Sequence, residues 1–376
     1  MRLSRRKAGI RSFVRRVALT IRYGIIGTGM MGCEHIRNLA AMDDVEVVAV
    51  ADPNEEPREW ALKACGSRFS PRVHSDYREI LGAGDVDALI VASPNYTHID
   101  VMRDIFATDK HVMLEKPMCT TLADAVEVDA AARAHKGIVW VGLEYRYIPT
   151  ISALLEHLRE VGQVKMCAIR EHRFPFLRKV GDWNRFNRNT GGTLVEKCCH
   201  FFDLMNLVVP GKPSRVLASG AQSVNHLDEI YDGEVPDILD NAYIIVEYDS
   251  GARAMLDLCM FAEGSRHEQD IAVTGDAGKL ETTVPGEELF IGKRERGSGV
   301  SIPVSMDARV RHTGFHHGSS FLEHREFIDA VRENRPASVT TQDGLMSVLI
   351  GLAGQQSIET GQAVDVDSLL AEHIGQ

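Results

Sequence analysis

Three acid-base residues stand at helical spacing in Gly191-Gly192-Thr193-Leu194-Val195-Glu196-Lys197-Cys198-Cys199-His200-Phe201-Phe202-Asp203. On a helix starting near Thr193 they fall at i, i+4 and i+7, so Glu196, His200 and Asp203 would line one face. A carboxylate one turn from an imidazole orients the ring and favours its protonated form, which predicts a raised His200 pKa. That is an acid-base apparatus, although a packed histidine with ordinary i,i+4 links reads the same way. Cys198, Cys199 and His200 do not suit a metal, because adjacent residues point about 100° apart around a helix and no partner pair has zinc spacing. No metal is expected. Another charged group, Lys116 of Glu115-Lys116-Pro117, ends an apolar run, where the proline stops strand pairing and biases the lysine toward extended backbone. Taken alone, such a lysine is most often a solvated surface residue.

The strongest local motif is Gly27-Thr28-Gly29-Met30-Met31-Gly32, between an apolar run and an amphipathic stretch. Gly27 permits a tight turn, Gly29 lets backbone approach a pyrophosphate, and Gly32 allows close helix-strand packing with the phosphates at the helix N-terminus. Asp52 ends the next apolar run 20 residues past Gly32, the spacing of a carboxylate that takes ribose hydroxyls. A 2′-phosphate would be repelled there, and Pro53, Asn54, Glu55 and Glu56 supply no cation. NAD is therefore favoured over NADP. Ser93, Asn95 and His98 follow a further apolar run, and polar groups at the carboxyl end of a parallel strand face the ligand crevice, as do Glu115 and Lys116. Helix capping by Ser93 or Thr97 accounts for some of the same residues.

The elements that must position these groups begin at Ile21. Short apolar runs at 21–27, 45–52, 86–93, 111–116 and 138–145 alternate with amphipathic stretches near 30–42, 55–65, 76–83, 97–109 and 121–136. Strand-helix repetition predicts a doubly wound parallel sheet, an N-terminal Rossmann domain over 21–145. Beyond it, a helical stretch at 149–162 and a strand at 163–174 lead into long β-like runs. Asp249-Ser250-Gly251 reads as a hairpin turn. Two closing helices, SSFLEHREFIDAVREN and TQDGLMSVLIGLAGQQSIETG, complete a second, α+β domain over 146–376. Residues 225–238 and 293–318 read as long loops. His312, His316 and His317 sit in the second and are better read as loop residues than as pocket lining.

Composition bounds the function classes. The chain has 376 residues, 44% hydrophobic and 25% charged, with a net charge of −11. Seven basic residues and no acid fall in the first twenty, so the body is more acidic than the total states. Such a body repels a nucleic-acid backbone. No apolar stretch reaches the length of a spanning helix, so no membrane partner is expected. The seven cysteines are odd in number and scattered, which points to a reducing, cytoplasmic location. Residues 1–20 form a basic extension that reads as an upstream addition, a mis-assigned start or a targeting peptide.

Taken together, GIIGTGMMG, ADP, ASPNYTH, LEKPMCTTLADA, GLEYRYIPT, DWNRFNRNTGGTLVEKCCHFFDL and the ending FLEHREFIDAVREN…TTQDGLMSVLIGLAGQQSIETGQAVDV resemble the glucose-fructose oxidoreductase, inositol dehydrogenase and rhizopine-catabolism (Gfo/Idh/MocA) family from Ile21 to about Asp365. The resemblance implies a Rossmann domain followed by a larger domain with an open, mostly antiparallel sheet. That sheet binds substrate on one face and often builds homo-oligomers, dimers or tetramers, with the other. It implies reversible NAD-dependent oxidation of a secondary alcohol on a cyclic polyol, sugar or sugar derivative. Lys116 matches the family's catalytic lysine and His200 its catalytic histidine. Glu196 stands where many polyol dehydrogenases of the family carry Asp; the extra methylene keeps the charge but changes the reach, which implies an orienting role toward His200. Tyr145, Arg146, Trp183, Asn184 and Arg185 fall where relatives place substrate-pocket residues, and Asp203 joins them as a substrate candidate. Two alternatives stay open: a keto-sugar or anhydro-sugar reductase, and a non-catalytic NAD-sensing regulator of the same fold.

Overall fold

The computed structural model describes residues 20–295 and 297–374. Apart from Thr20, the basic extension lies outside them. The first part alternates as read: β1 (Ile21–Ile26), α1 (Met30–Ala40), β2 (Val45–Ala51), α2 (Glu55–Cys65), β3 (Arg72–His74), α3 (Arg78–Leu81), β4 (Ala88–Val91), α4 (His98–Phe106), β5 (His111–Leu114), α5 (Leu122–Ala132) and β6 (Val139–Val141). The strands form one parallel sheet in the order β3-β2-β1-β4-β5-β6. Ile25, Ala88, Leu89, Ile90, Val112, Met113 and Leu114 are fully buried, as strands covered by helices on both faces must be. β3 escaped the sequence reading because it is a three-residue edge strand with no apolar run, two of its residues being exposed.

The second part contains α6 (Pro149–Glu156), β7 (Val164–His172), α7 (Asn187–Thr190), α8 (Thr193–Glu196), α9 (Cys199–Val208), β8 (Pro213–Ala221), β9 (Asn241–Tyr248) and β10 (Arg253–Cys259). It continues through β11 (Gln269–Gly275), β12 (Gly278–Val284), β13 (Glu288–Lys293), β14 (Gly299–Pro303), α10 (Ser319–Glu333), α11 (Thr341–Thr360), β15 (Val364–Asp365) and α12 (Val366–Ala371). Nine strands make a sheet in the order β14-β13-β12-β11-β7-β10-β9-β8-β15, in which every pair is antiparallel except β7 and β10. The β9–β10 hairpin turns where expected, with Gly251 at φ +78. β14 corrects the reading of 293–318 as one loop. It is a short edge strand with no buried residue, so its sequence carries no apolar alternation. One face of this sheet lies beneath α6 and α11. The other leaves Leu217, Ile245 and Met255 exposed in one cross-strand row.

The closing helices return to the first sheet: α10 lies against α1, and α11 against α5, α8, α9 and β6. α11 starts in a capping box, the Thr340 hydroxyl accepting from the Asp343 backbone while the Asp343 carboxylate accepts from Thr340. These packings hold the two sheets so that the carboxyl ends of β4 and β5 face α8.

The expected continuous helix from Thr193 through Asp203 is two helices. Lys197 and Cys198 interrupt it, Cys198 at φ −87 and ψ −4. Long-range partners favour the break. Lys197 pairs with Glu171 of β7 at 2.8 Å and donates to the Tyr145 hydroxyl at 3.4 Å, while the Glu196 carbonyl accepts the Lys116 ammonium at 3.2 Å.

Candidate active site

The carboxyl ends of β1, β4 and β5 open onto a cleft of about 700 Å³. At one end lies the glycine turn. A Cβ on Gly27 (φ +85) would meet the Ser93 nitrogen at 2.4 Å, and one on Gly32 would meet the Gly27 oxygen at 2.1 Å. A Cβ on Gly29 would meet nothing within 4 Å, because that side is open cleft. α1 begins there with no side-chain cap and no acidic residue in its first turn, so its amide groups and helix dipole are left for an anion. Asp52 accepts the Thr28 amide at 2.9 Å on one carboxylate oxygen and the Asn54 amide at 2.9 Å on the other. Its carboxylate is thus fixed at the cleft edge with lone pairs to spare. These features fit a dinucleotide with an unphosphorylated ribose.

Gly27, Gly29, Met30, Met31, Asp52, Ser93, Asn95, Glu115 and Lys116 line the cleft. Asn95 is buried, and its side-chain amide has no partner among the described residues. Thr28, Gly32 and His98 are not among the residues lining the cleft, and Gly32 serves the close packing read for it. Gly32 packs on the Gly27 carbonyl, and the Thr28 side chain is fully buried. His98 is buried beneath the floor, its ring nitrogens 2.9 Å from the Pro117 carbonyl and 3.0 Å from that of Ser93. It ties together the two strand ends that carry Ser93 and Lys116.

At the other end, Lys116 and Glu196 face the same cleft. Burial raises the Glu196 pKa against the pull of Lys116, Lys179, Arg185 and Lys197, and its Oε2 has no partner among the described residues. His200 is 2% exposed, is not among the residues lining the cleft, and stacks on the Tyr145 ring behind it, centroids 4.0 Å apart and planes within 7°. Its pKa is driven well below the ordinary histidine value, by burial first and then by Lys116, Lys197, His316 and Arg173. The expected rise from Glu196 is therefore reversed. The helix break removes the i,i+4 relation, and no hydrogen bond or ion pair joins Glu196 to His200 among the described residues. The imidazole is held neutral, with Nδ1 unpartnered.

The substrate candidates divide. Trp183 lines the cleft beside Tyr96, and Tyr145 backs His200. Arg146 and Asp203 instead take each other in a buried two-pronged pair, extended to the Ser338 carbonyl and Asp343. Arg185 is buried against Glu229 at 2.9 Å, and Asn184 donates to the Leu177 carbonyl. These four hold elements together and are absent from the cleft wall.

Sequence reading missed several residues near the site. Lys179 and Val180 line the cleft from the loop after β7. His316, read as an ordinary loop residue, lies 2.9 Å from the Glu144 carboxylate with its ring 6.2 Å from that of Tyr145, and its charge acts on His200. Behind Lys116, the Glu115 carboxylate meets His35 at 2.8 Å, and His35 meets His324 at 2.9 Å. The residues neighbouring Lys116 are thus anchored to α1 and α10. Nothing local in sequence marked these partners, which lie up to 289 positions apart.

Comparison with known proteins agrees with this geometry. Residues 21–143 match the oxidoreductase family's NAD-binding Rossmann fold, and residues 156–366 match the same family's C-terminal alpha/beta domain. Myo-inositol 2-dehydrogenase of Thermotoga maritima is 26% identical over 358 residues, covering 93% of this chain and 100% of that protein. The NAD(+)-dependent scyllo-inositol 2-dehydrogenase of Bacillus subtilis is 23% identical, covering 92% of this chain and 96% of its own. A levoglucosan dehydrogenase solved in complex with NADH shares the fold at a TM-score of 0.81 and 20% identity, over 92% of this chain and 99% of that one. With both of its domains matched and the dinucleotide cradle in place, the chain belongs to the Gfo/Idh/MocA oxidoreductase family.

Proposed function

We propose that this NAD-dependent oxidoreductase acts on a secondary alcohol of a cyclic polyol, sugar or sugar derivative, with Lys116 and His200 handling the hydroxyl proton. The reading draws on the inositol dehydrogenases to which the chain is similar over nearly its whole length. The observation that carries it is the meeting of two distant segments: the Lys116 ammonium, from the end of β5, bonds the Glu196 carbonyl at the helix break that leads to His200.

Bound NAD would supply the hydride acceptor. Gly27, Gly29 and the start of α1 would hold its diphosphate and Asp52 its ribose. The chain's own residues do the rest. A neutral His200 is able to take the hydroxyl proton, and the Lys116 ammonium stabilises the negative charge that develops on the oxygen. Glu196, which lines the cleft with a carboxyl oxygen unpartnered among the described residues, would bond a neighbouring hydroxyl. Trp183 supplies an apolar wall, and Tyr145 backs His200.

The test is NADH formation across inositols, aldoses and anhydro-sugars. Lys116→Ala should lower turnover roughly 10²–10⁴-fold with NAD affinity nearly intact; unchanged turnover would refute the assignment. A dinucleotide-sensing regulator would form no NADH with any of them. A homo-oligomer built on the open sheet face agrees with its exposed apolar row, and a cytoplasmic location agrees with seven free cysteines. The division into cofactor and substrate domains near residue 145 is supported by the change from one sheet to the other.

A further inference from the structure

Lys179 is a cation that the site described so far does not use. It lines the cleft together with Lys116, Trp183 and Glu196. Its backbone is held in a tight turn: the Asp182 amide donates to the Lys179 carbonyl at 2.9 Å, and the Arg178 guanidinium pairs with the Asp182 carboxylate at 2.9 and 3.1 Å. Gly181 and Asp182 both adopt positive φ, 70° and 52°, which closes the turn.

The ammonium makes no hydrogen bond and no direct ion pair among the described residues. Lys179 is half-buried; the more enclosed cations of this half are matched, Arg146 by Asp203, Arg185 by Glu229 at 2.9 Å and Lys197 by Glu171 at 2.8 Å. Burial lowers the Lys179 pKa, Glu196 opposes that most, and Lys116 adds like-charge repulsion. Glu196 is weak compensation, because burial moves its own carboxyl toward the neutral form. The charges acting on Lys179 are Glu196, Lys116 and Glu115 and do not include Asp52 of the ribose end, which agrees with its lining the cleft beside Lys116 and Glu196. A half-buried cation there, with no protein partner among the described residues, is available to a ligand that brings an anion.

We propose that Lys179 determines specificity, and that the substrate is a sugar or cyclic polyol carrying a carboxylate which pairs with the Lys179 ammonium. This rests on the dehydrogenase reading for its substrate class and goes beyond it by adding the charged group.

The experiment compares three acids, D-glucuronate, D-galacturonate and quinate, each with its uncharged amide. Binding to NADH-saturated protein is followed by calorimetry, and NADH formation is followed separately from NAD. At least one acid should bind roughly 10- to 100-fold more tightly than its amide, as expected for one charge-assisted bond in a partly buried site. Lys179→Met should abolish that preference, weakening the acid more than the amide; Lys179 lies on a loop, and its side chain makes no hydrogen bond or ion pair among the described residues. Equal or weaker binding of every acid overturns the proposal, and so does a variant that weakens acid and amide alike. Oxidation of neutral sugars with no use of the acids leaves the dehydrogenase reading intact and removes only this inference. A Lys179-dependent preference for an acid without NADH formation does the reverse.

Discussion

Asp203 reads from sequence as a substrate ligand and in the structure as half of a structural pair, and one substitution separates the two. Asp203→Asn keeps the shape but removes the charge opposite Arg146, which is only 11% exposed. Removing one member of a buried pair costs about 3–5 kcal/mol. Asp343, 3.3 Å from the same guanidinium and 32% exposed, stays to compensate in part, which argues for the lower end, about 3 kcal/mol. An unfolding entropy of about 2.1 cal/mol/K per residue over 376 residues converts that to a fall of about 4 °C in Tm. Replacing both partners, Arg146→Met with Asp203→Leu, should recover most of the loss, because no buried charge is then left unmatched. The assay pairs thermal unfolding by circular dichroism with kcat/KM for the best polyol at 25 °C. The Asn variant should lose stability while kcat/KM stays within about threefold. A tenfold fall in kcat/KM at unchanged Tm would return Asp203 to the substrate pocket and refute the structural reasoning.

Asp52→Ala should remove the carboxylate that repels a 2′-phosphate, so the ratio of kcat/KM for NAD over NADP should fall; a variant that keeps the full preference contradicts the ribose role. His200 gives a pH signature of definite sign. Its folded pKa lies well below 6.5, so the folded state binds fewer protons than the unfolded chain once pH falls below the unfolded value, and the residue then subtracts stability. The loss accumulates at about 1.4 kcal/mol per pH unit until the folded pKa is reached. His200→Gln should therefore show a shallower loss of stability between about pH 6.5 and 5 than the parent, measured by urea unfolding; parallel curves would show that the ring is not held neutral.

Much of the cofactor half was legible in the sequence because its requirements are local. A glycine is needed where φ is positive at Gly27 and where a side chain would strike the Gly27 carbonyl at Gly32. A strand covered on both faces must be apolar throughout, so β1, β2, β4 and β5 announced themselves, while β3 and β14, exposed at sheet edges, did not. Spacing also placed Asp52 at the end of β2. The substrate half was read less well. Helical periodicity put Glu196, His200 and Asp203 on one face, but Lys197 is drawn to Glu171 and the Glu196 carbonyl to Lys116, and each contact bridges elements far apart in the chain.

The sequence by itself therefore determined most of the order of strands and helices and the glycine turn, since these follow from backbone stereochemistry and short-range pattern, while Lys116 and His200 were singled out by the family resemblance. Only the tertiary structure decided which charges are neutralised and which remain to meet a ligand. It closed Arg146 on Asp203 and Arg185 on Glu229, left Lys179 unmatched in the cleft, and buried His200, with cations nearby, so that it is kept neutral. Electrostatic environment is set by whatever packs nearby in space, and residues dozens to hundreds of positions away leave no trace of their approach in the local order of amino acids.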